Sequence, residues 1–161
     1  METNIRKGSI DDLPFVQKLA IEMAKCSIPP TRCATTEQLA SNISKTISAL
    51  KNELIKNPKL QLLIAETSYN QPIGYLILFL NHINDTTGET QAFVIDIAVL
   101  KEYWGKYVWR HLLKKAEIIA KDNGLNYIAG AVSINNPRAL KTAQKFLGFQ
   151  IERYIIAKQL I

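Results

Sequence analysis

The sequence is poor in the residues that build metal, disulfide and membrane sites. It has only two cysteines and two histidines among 161 residues. Cys26 and Cys33 are not joined by any paired spacing to His82 or His111, so a zinc site has no support, and two reduced thiols in a cytoplasmic protein are expected. Long apolar runs are missing too. The longest without a glycine, YLILFL at 75–80, has 6 residues, against about 20 for a membrane-crossing helix. The opening METNIRKGSIDD lacks the apolar stretch of a secretory leader, which again predicts a soluble, cytoplasmic protein with no membrane partner. Acidic residues are in deficit, 14 against 20 basic, a net charge of +6. That balance suits an anionic ligand. The basic residues are scattered, however, and a nucleic-acid partner needs them gathered on one face, so nucleic acid is not the expected partner. No repeat, low-complexity tract or linker divides the chain, and one domain over residues 1–161 is expected.

What is present is strong periodicity. Residues 4–7 read as a short strand. Ser9 and Asp11-Asp12 cap a helix carrying Leu13, Val16, Leu19, Ala20 and Met23 at helical spacing, and Pro29-Pro30 ends it. Thr35-Thr36-Glu37 opens a second helix with Leu39, Ile43, Ile47, Leu50 and Leu54 on one face, stopped at Asn57-Pro58. The period then changes. Residues 60–66 and 73–80 are β-rich runs around a hairpin at 68–72, and a third strand follows at 91–100. A helix is expected from about Tyr107 to Asp122, closed by Asn123-Gly124, then a strand at 127–132. Asn136-Pro137 starts a last helix ending before Gly148, and residues 149–161 are expected to form one or two strands. This order predicts a mixed α/β (α+β) domain: a largely antiparallel central sheet with a strand–helix–strand unit at 91–132.

Within that unit, KEYWGKYVWRHLLKKA (101–116) runs from a loop with a single glycine into a helix. Free N–H groups and the positive end of the helix dipole meet there, so a pyrophosphate can bind without help from any particular side chain. Gly105 permits a tight turn and Lys106 adds charge.

The element order, the strand VIDIAVL leading into LKEYWGKYVWRHLL, and the downstream NNPRALKTAQKFLGF resemble the GNAT N-acetyltransferase superfamily. Asn136, Ala139 and Leu147-Gly148-Phe149 carry the most specific part of the resemblance. The resemblance implies transfer of an acetyl group from acetyl-CoA, with no metal, to a primary amine of a small molecule or peptide. It implies that backbone groups of Ile97, Ala98 and Val99 face the pantetheine arm. The amides of Trp104, Gly105, Lys106, Tyr107, Val108 and Trp109 hold the pyrophosphate, and Asn136 lies beside the pantetheine or its thiol end. The family's loop pattern falls on Trp104, Tyr107 and Trp109, all three mismatches, and bulky side chains there obstruct close approach of phosphate. A second reading is therefore open: a catalytically degenerate domain that senses a ligand or binds a protein. A homodimer is compatible with either.

Acyl transfer to an amine needs a proton acceptor, and the departing thiolate benefits from a donor. Asp96, the one carboxylate in an apolar strand, is the expected base, its pKa raised by burial. The family's second acid would stand at Ile95, and its helix tyrosine at Ala143 or Gln144. Neither is present. Ser133 and Tyr154 are substitutes for the acid by position alone, and proximity can supply much of the rate without one.

Overall fold

The structure, a computed structural model, describes residues 3–160. One five-stranded sheet runs in the order β1-β2-β3-β4-β5, where β1 is Thr3–Lys7, β2 Leu60–Thr67, β3 Pro72–Ile83, β4 Thr90–Val99 and β5 Ile128–Gly130. The first four strands pair antiparallel, and β5 joins β4 in parallel.

Two helices precede the hairpins: α1 (Leu13–Met23) and α2 (Thr36–Lys56). The 3-10 turn Ile10–Asp12 that leads into α1 begins at a reciprocal cap between Ser9 and Asp12, and so does α2 itself. At α2 the Thr35 amide donates to Gln38 Oε1 at 2.9 Å, and the Gln38 amide donates to Thr35 Oγ1 at 3.2 Å, satisfying two of the amides a helix start leaves without partners. α1 and α2 cover one face of the sheet, where Val16, Leu19 and Leu50 pack on Leu62, Ile64, Tyr75 and Ala98. Helix α3 (Val108–Asp122) covers the other face, setting Leu112, Leu113 and Ala116 against Leu63, Leu76, Leu78 and Val99. With both faces covered, β2 and β3 must be apolar on both sides, which is why LQLLIA and IGYLILFL do not alternate. α3 closes in a Schellman arrangement: Gly124 sits at φ +72°, and the Leu125 amide reaches the Ala120 carbonyl at 3.0 Å.

Two sequence expectations need correction. The strand expected at 127–132 pairs only at Ile128–Gly130. Residues 149–160 form no strand; apart from half-buried Phe149 they lie exposed, including Tyr154, Ile155 and Ile156. Ile161 lies outside the described residues. The segment is apolar enough for a strand but lies on no sheet edge. Its one charged anchor is Arg153, 2.7 Å from Asp85 on the β3–β4 loop.

Two features place the site. The β4–β5 ladder stops at Val94↔Gly130, after which the parallel neighbours part. Opposite, the β3–β4 register jumps from Leu78↔Val94 to Ile77↔Asp96, so Ile95 is an extra residue, a bulge. A bulge reverses which face each following side chain takes. Ala92 and Val94 therefore join the α3 core, while Ala98 joins the α1–α2 core.

Candidate active site

Where β4 and β5 part, a cavity of about 690 Å³ opens. One wall comes from the end of α1, the α1–α2 connection and the first turns of α2; the other comes from the start of α3, the residues after β5, and helix α4 (Pro137–Leu147). Asn135 ties the two walls together, its Nδ2 donating to the Ile28 carbonyl at 2.7 Å.

The bulge swings Asp96 into this cavity. Tyr75, on the neighbouring strand and fully buried, donates its hydroxyl to Asp96 Oδ2 at 2.5 Å, and the Ile97 amide donates to Oδ1 at 2.9 Å. Asp96 is open to solvent through the cavity mouth, yet protein crowds its carboxylate on most sides. Loss of hydration is the larger effect and raises its pKa; the bonds from Tyr75 and Ile97 oppose that rise without cancelling it. Tyr75 is pushed up as well, first by burial and then by the adjacent carboxylate, and stays a neutral donor.

The edge of β4 facing the cavity is unpaired beyond Val94. The Leu100 amide donates to Ile73 across β3 at 2.9 Å, so the Val99 carbonyl, on the opposite side of the same peptide plane, points into the cleft. Strand alternation sends the peptide groups of Ile97 the same way. Trp104 Nε1 donates to the Val99 carbonyl at 2.8 Å and covers that acceptor. The Arg138 guanidinium lies over the Trp104 ring, 4.7 Å from its centre.

Beyond Trp104 the chain turns into α3. Gly105 is at φ +81° and Tyr107 at φ +62°. A left-handed residue followed by a helical one aims successive amides at one point, forming an anion-binding concavity. The amides of Trp104 and Lys106 close turns onto Lys101 and Tyr103. Those of Gly105, Tyr107, Val108 and Trp109 have no acceptor among the described residues.

The residues singled out from sequence divide as follows. Asp96, Ile97, Ala98, Val99, Trp104, Gly105, Trp109, Ser133 and Asn136 all lie on the cavity wall. Lys106, Tyr107 and Val108 do not. The Val108 side chain is fully buried in the α3 core, leaving its amide to the loop, and the Lys106 ammonium rests 4.8 Å above the Tyr103 ring. The Asn136 side chain accepts from the Ala139 amide at 3.1 Å as the cap of α4. Ser133 Oγ accepts from the Asn135 amide at 3.3 Å within the turn before α4. Tyr154 sits on the exposed C-terminal segment, away from the wall. Ala143 is on the wall where the family's tyrosine was sought, and Gln144 is not. Tyr75, Asn135 and Arg138 were missed. The signal for Tyr75 was present: one hydroxyl inside the apolar run YLILFL must find a partner once buried.

A strand edge left open by a splay, with a concave amide loop at the next helix, defines a mixed α/β domain with a cleft suited to an extended ligand that carries an anionic group. The acetyltransferase (GNAT) family model matches residues 30–149, and the chain belongs to that family. Solved structures agree on the fold. A presumed acetyl transferase from Pyrococcus furiosus is 22% identical, with a TM-score of 0.78 over 99% of this chain and 100% of its own. The aminoglycoside 6'-N-acetyltransferase AAC(6')-Ih of Acinetobacter baumannii is 23% identical, with a TM-score of 0.68 over 99% of each chain. AAC(6')-Iy, in complex with the bisubstrate analogue CoA-S-monomethyl-acetylneamine, is 20% identical with a TM-score of 0.72 over the whole of both chains. No curated protein matches the sequence itself. No helix among the described residues is long and apolar enough to cross a membrane.

Proposed function

We propose that this protein is an N-acetyltransferase that moves the acetyl group of acetyl-CoA to a primary amine of a small molecule or peptide. The observation carrying this reading is a juxtaposition. One cavity holds an open strand edge and a carboxylate with a raised pKa, and a loop with four amides lacking acceptors adjoins it. Acetyl-CoA, a thioester, supplies an activated acyl carbon. The residues fit it: the amides of Gly105, Tyr107, Val108 and Trp109, with the positive end of α3, suit a pyrophosphate. The Ile97 carbonyl and the Val99 amide suit an amide-bearing arm lying along β4 as a further strand, while the Ile97 amide is held by Asp96. Lys106 and Arg138 bring positive charge beside them.

Asp96 accepts the proton that an ammonium must lose to become a nucleophile. Its raised pKa brings the carboxylate closer to the amine's working pH, and Tyr75 fixes its orientation. Of the two hydroxyls singled out from sequence, Ser133 is the one on the wall, and it returns a proton to the leaving thiolate. Two exposed, unpaired thiols, Cys26 and Cys33, suit the cytoplasm. The test is a thermal shift with acetyl-CoA, CoA and no ligand, joined to an assay for free thiol release. A ligand at 100 times its Kd stabilises the fold by about 2.7 kcal/mol. No shift at millimolar CoA overturns the reading.

One observation favours a second reading, a domain that binds without turnover: the Trp104 indole already occupies the Val99 carbonyl. Under that reading CoA binds and no amine in a broad panel releases thiol.

A further inference from the structure

We infer that the amine this site acylates is a monocation with an apolar body, and not a polycation such as a polyamine or an aminoglycoside. The inference rests on the acetyltransferase reading and concerns what lies opposite the acyl donor. Asp96 and Arg138 are the charged side chains of the cavity wall, so the site offers an incoming ammonium one carboxylate. Around it the acceptor side is built from Met23, Ile28, Pro29, Leu39, Ile43 and Val132. The neutral polar groups there, Ser27 and Asn42 among them, can satisfy a hydroxyl but not a second full charge.

Two backbone carbonyls that could receive a second ammonium each already accept one bond, which leaves a single lone pair on either. Asn135 Nδ2 holds the Ile28 carbonyl and Trp104 Nε1 holds the Val99 carbonyl. Glu22, near the end of α1, is turned toward Lys101 at 3.8 Å and is not on the wall. The protein's net charge of +6 adds a repulsion that grows with each charge on the substrate. A monoamine avoids these penalties: it places its one ammonium on Asp96 and its hydrocarbon against the apolar wall.

In the transfer, the ammonium gives one proton to Asp96 and the free nitrogen pair attacks the thioester carbonyl. The C–N bond forms, the C–S bond breaks with its electrons on sulfur, and the amide nitrogen's surplus proton leaves as the thiolate gains one. Amide and free CoA thiol result, and no other reactant is needed.

The test measures thiol release by the full chain at saturating acetyl-CoA with hexylamine, 2-phenylethylamine, 1,6-diaminohexane and kanamycin. The two monoamines should exceed the diamine in kcat/KM by about 10-fold or more, since an unpaired ammonium against an apolar wall is a heavily penalised group. Kanamycin should fall lower still. Ala34→Glu, in the exposed loop on the acceptor wall, adds a carboxylate without touching the core and should narrow the gap between hexylamine and its diamine. An unchanged ratio assigns the preference to shape and overturns the proposal. Equal or faster turnover of the diamine or kanamycin overturns it outright while leaving the acetyltransferase reading intact. Acetyl-CoA binding with no transfer to either monoamine also overturns it. Absence of acetyl-CoA binding instead brings down the reading on which it stands.

Discussion

Tyr107 and Trp109 look alike in sequence, two aromatics where the family's loop pattern has small residues, but the structure gives them opposite roles. Tyr107 holds a left-handed backbone at φ +62° with its ring 60% exposed. A non-glycine residue there costs about 1–2 kcal/mol. Glycine removes that strain but returns about 0.4–1 kcal/mol to the unfolded chain. Tyr107→Gly should therefore stabilise the fold by about 0.5–1 kcal/mol. Trp109 is half-buried, packs against the α3 core and lines the cavity. Full truncation of a buried tryptophan costs about 3–5 kcal/mol; half of that, with up to ~1 kcal/mol for glycine in a helix, predicts a loss near 3 kcal/mol. In a chain of this length 1 kcal/mol moves Tm by roughly 2–4 °C. Calorimetry should show a small rise for Tyr107→Gly and a fall of about 10 °C for Trp109→Gly. CoA affinity, measured where both variants are folded, should hold or improve for Tyr107→Gly, whose ring is off the cavity wall, and weaken for Trp109→Gly. A Tyr107→Gly protein destabilised by more than about 1 kcal/mol would refute the strain argument. A Trp109→Gly protein as stable as the parent would refute the packing argument.

Asp96→Asn should lower kcat by roughly 10²–10⁴-fold while CoA still binds. Because burial raises the Asp96 pKa in the fold, its contribution to stability is complete below the unfolded-state value and is lost as pH rises through the folded one. The Tm of Asp96→Asn relative to the parent should thus be higher at pH 8 than at pH 4, and a pH-independent difference would count against a raised pKa. Tyr75→Phe removes a donor that favours the carboxylate, so the acidic limb of the kcat/KM profile should move to higher pH; an unmoved limb would leave Tyr75 a packing residue. Arg6 joins buried Glu66 and Asp12, each at 2.7 Å. With Arg6 partly exposed, Arg6→Met should cost about 2–3 kcal/mol at neutral pH by leaving the buried Glu66 carboxylate with only the Asn4 side-chain amide against it. The Asp12 pKa is lowered, chiefly by Arg6, so its share is present above the ordinary aspartate value and disappears as pH falls through the lowered one. The gap in urea midpoint between the two proteins should therefore be smaller at pH 3 than at pH 7.

Much of this fold was legible because burial leaves a mark on composition. The two-sided burial of β3 shows as YLILFL, the one-sided burial of α2 as Leu39, Ile43, Ile47 and Leu50, and the stops as Asn57-Pro58 and Asn123-Gly124. What could not be read are features that depend on pairing. In QAFVIDIAV every residue suits a strand, and simple alternation puts Val94, Asp96 and Ala98 on one face. The bulge at Ile95 instead separates Val94 from the other two, and with it decides that Asp96 meets Tyr75. Nothing local marks that extra residue, because Ile95 fits a regular strand as well as a bulge. The ends of β5 behave the same way: Ala131 and Val132 have strand-forming character, but β4 has already turned aside, and they become cavity wall. Residues 150–160 carry apolar side chains with no edge to join. Sequence thus reports which segments can be strands, while the candidate site lies where one strand leaves its neighbour, a property of two segments at once. The loop at 104–109 shows the converse. Its backbone takes a left-handed turn at Tyr107, where the family's pattern has glycine, a conformation that side-chain identity alone does not announce.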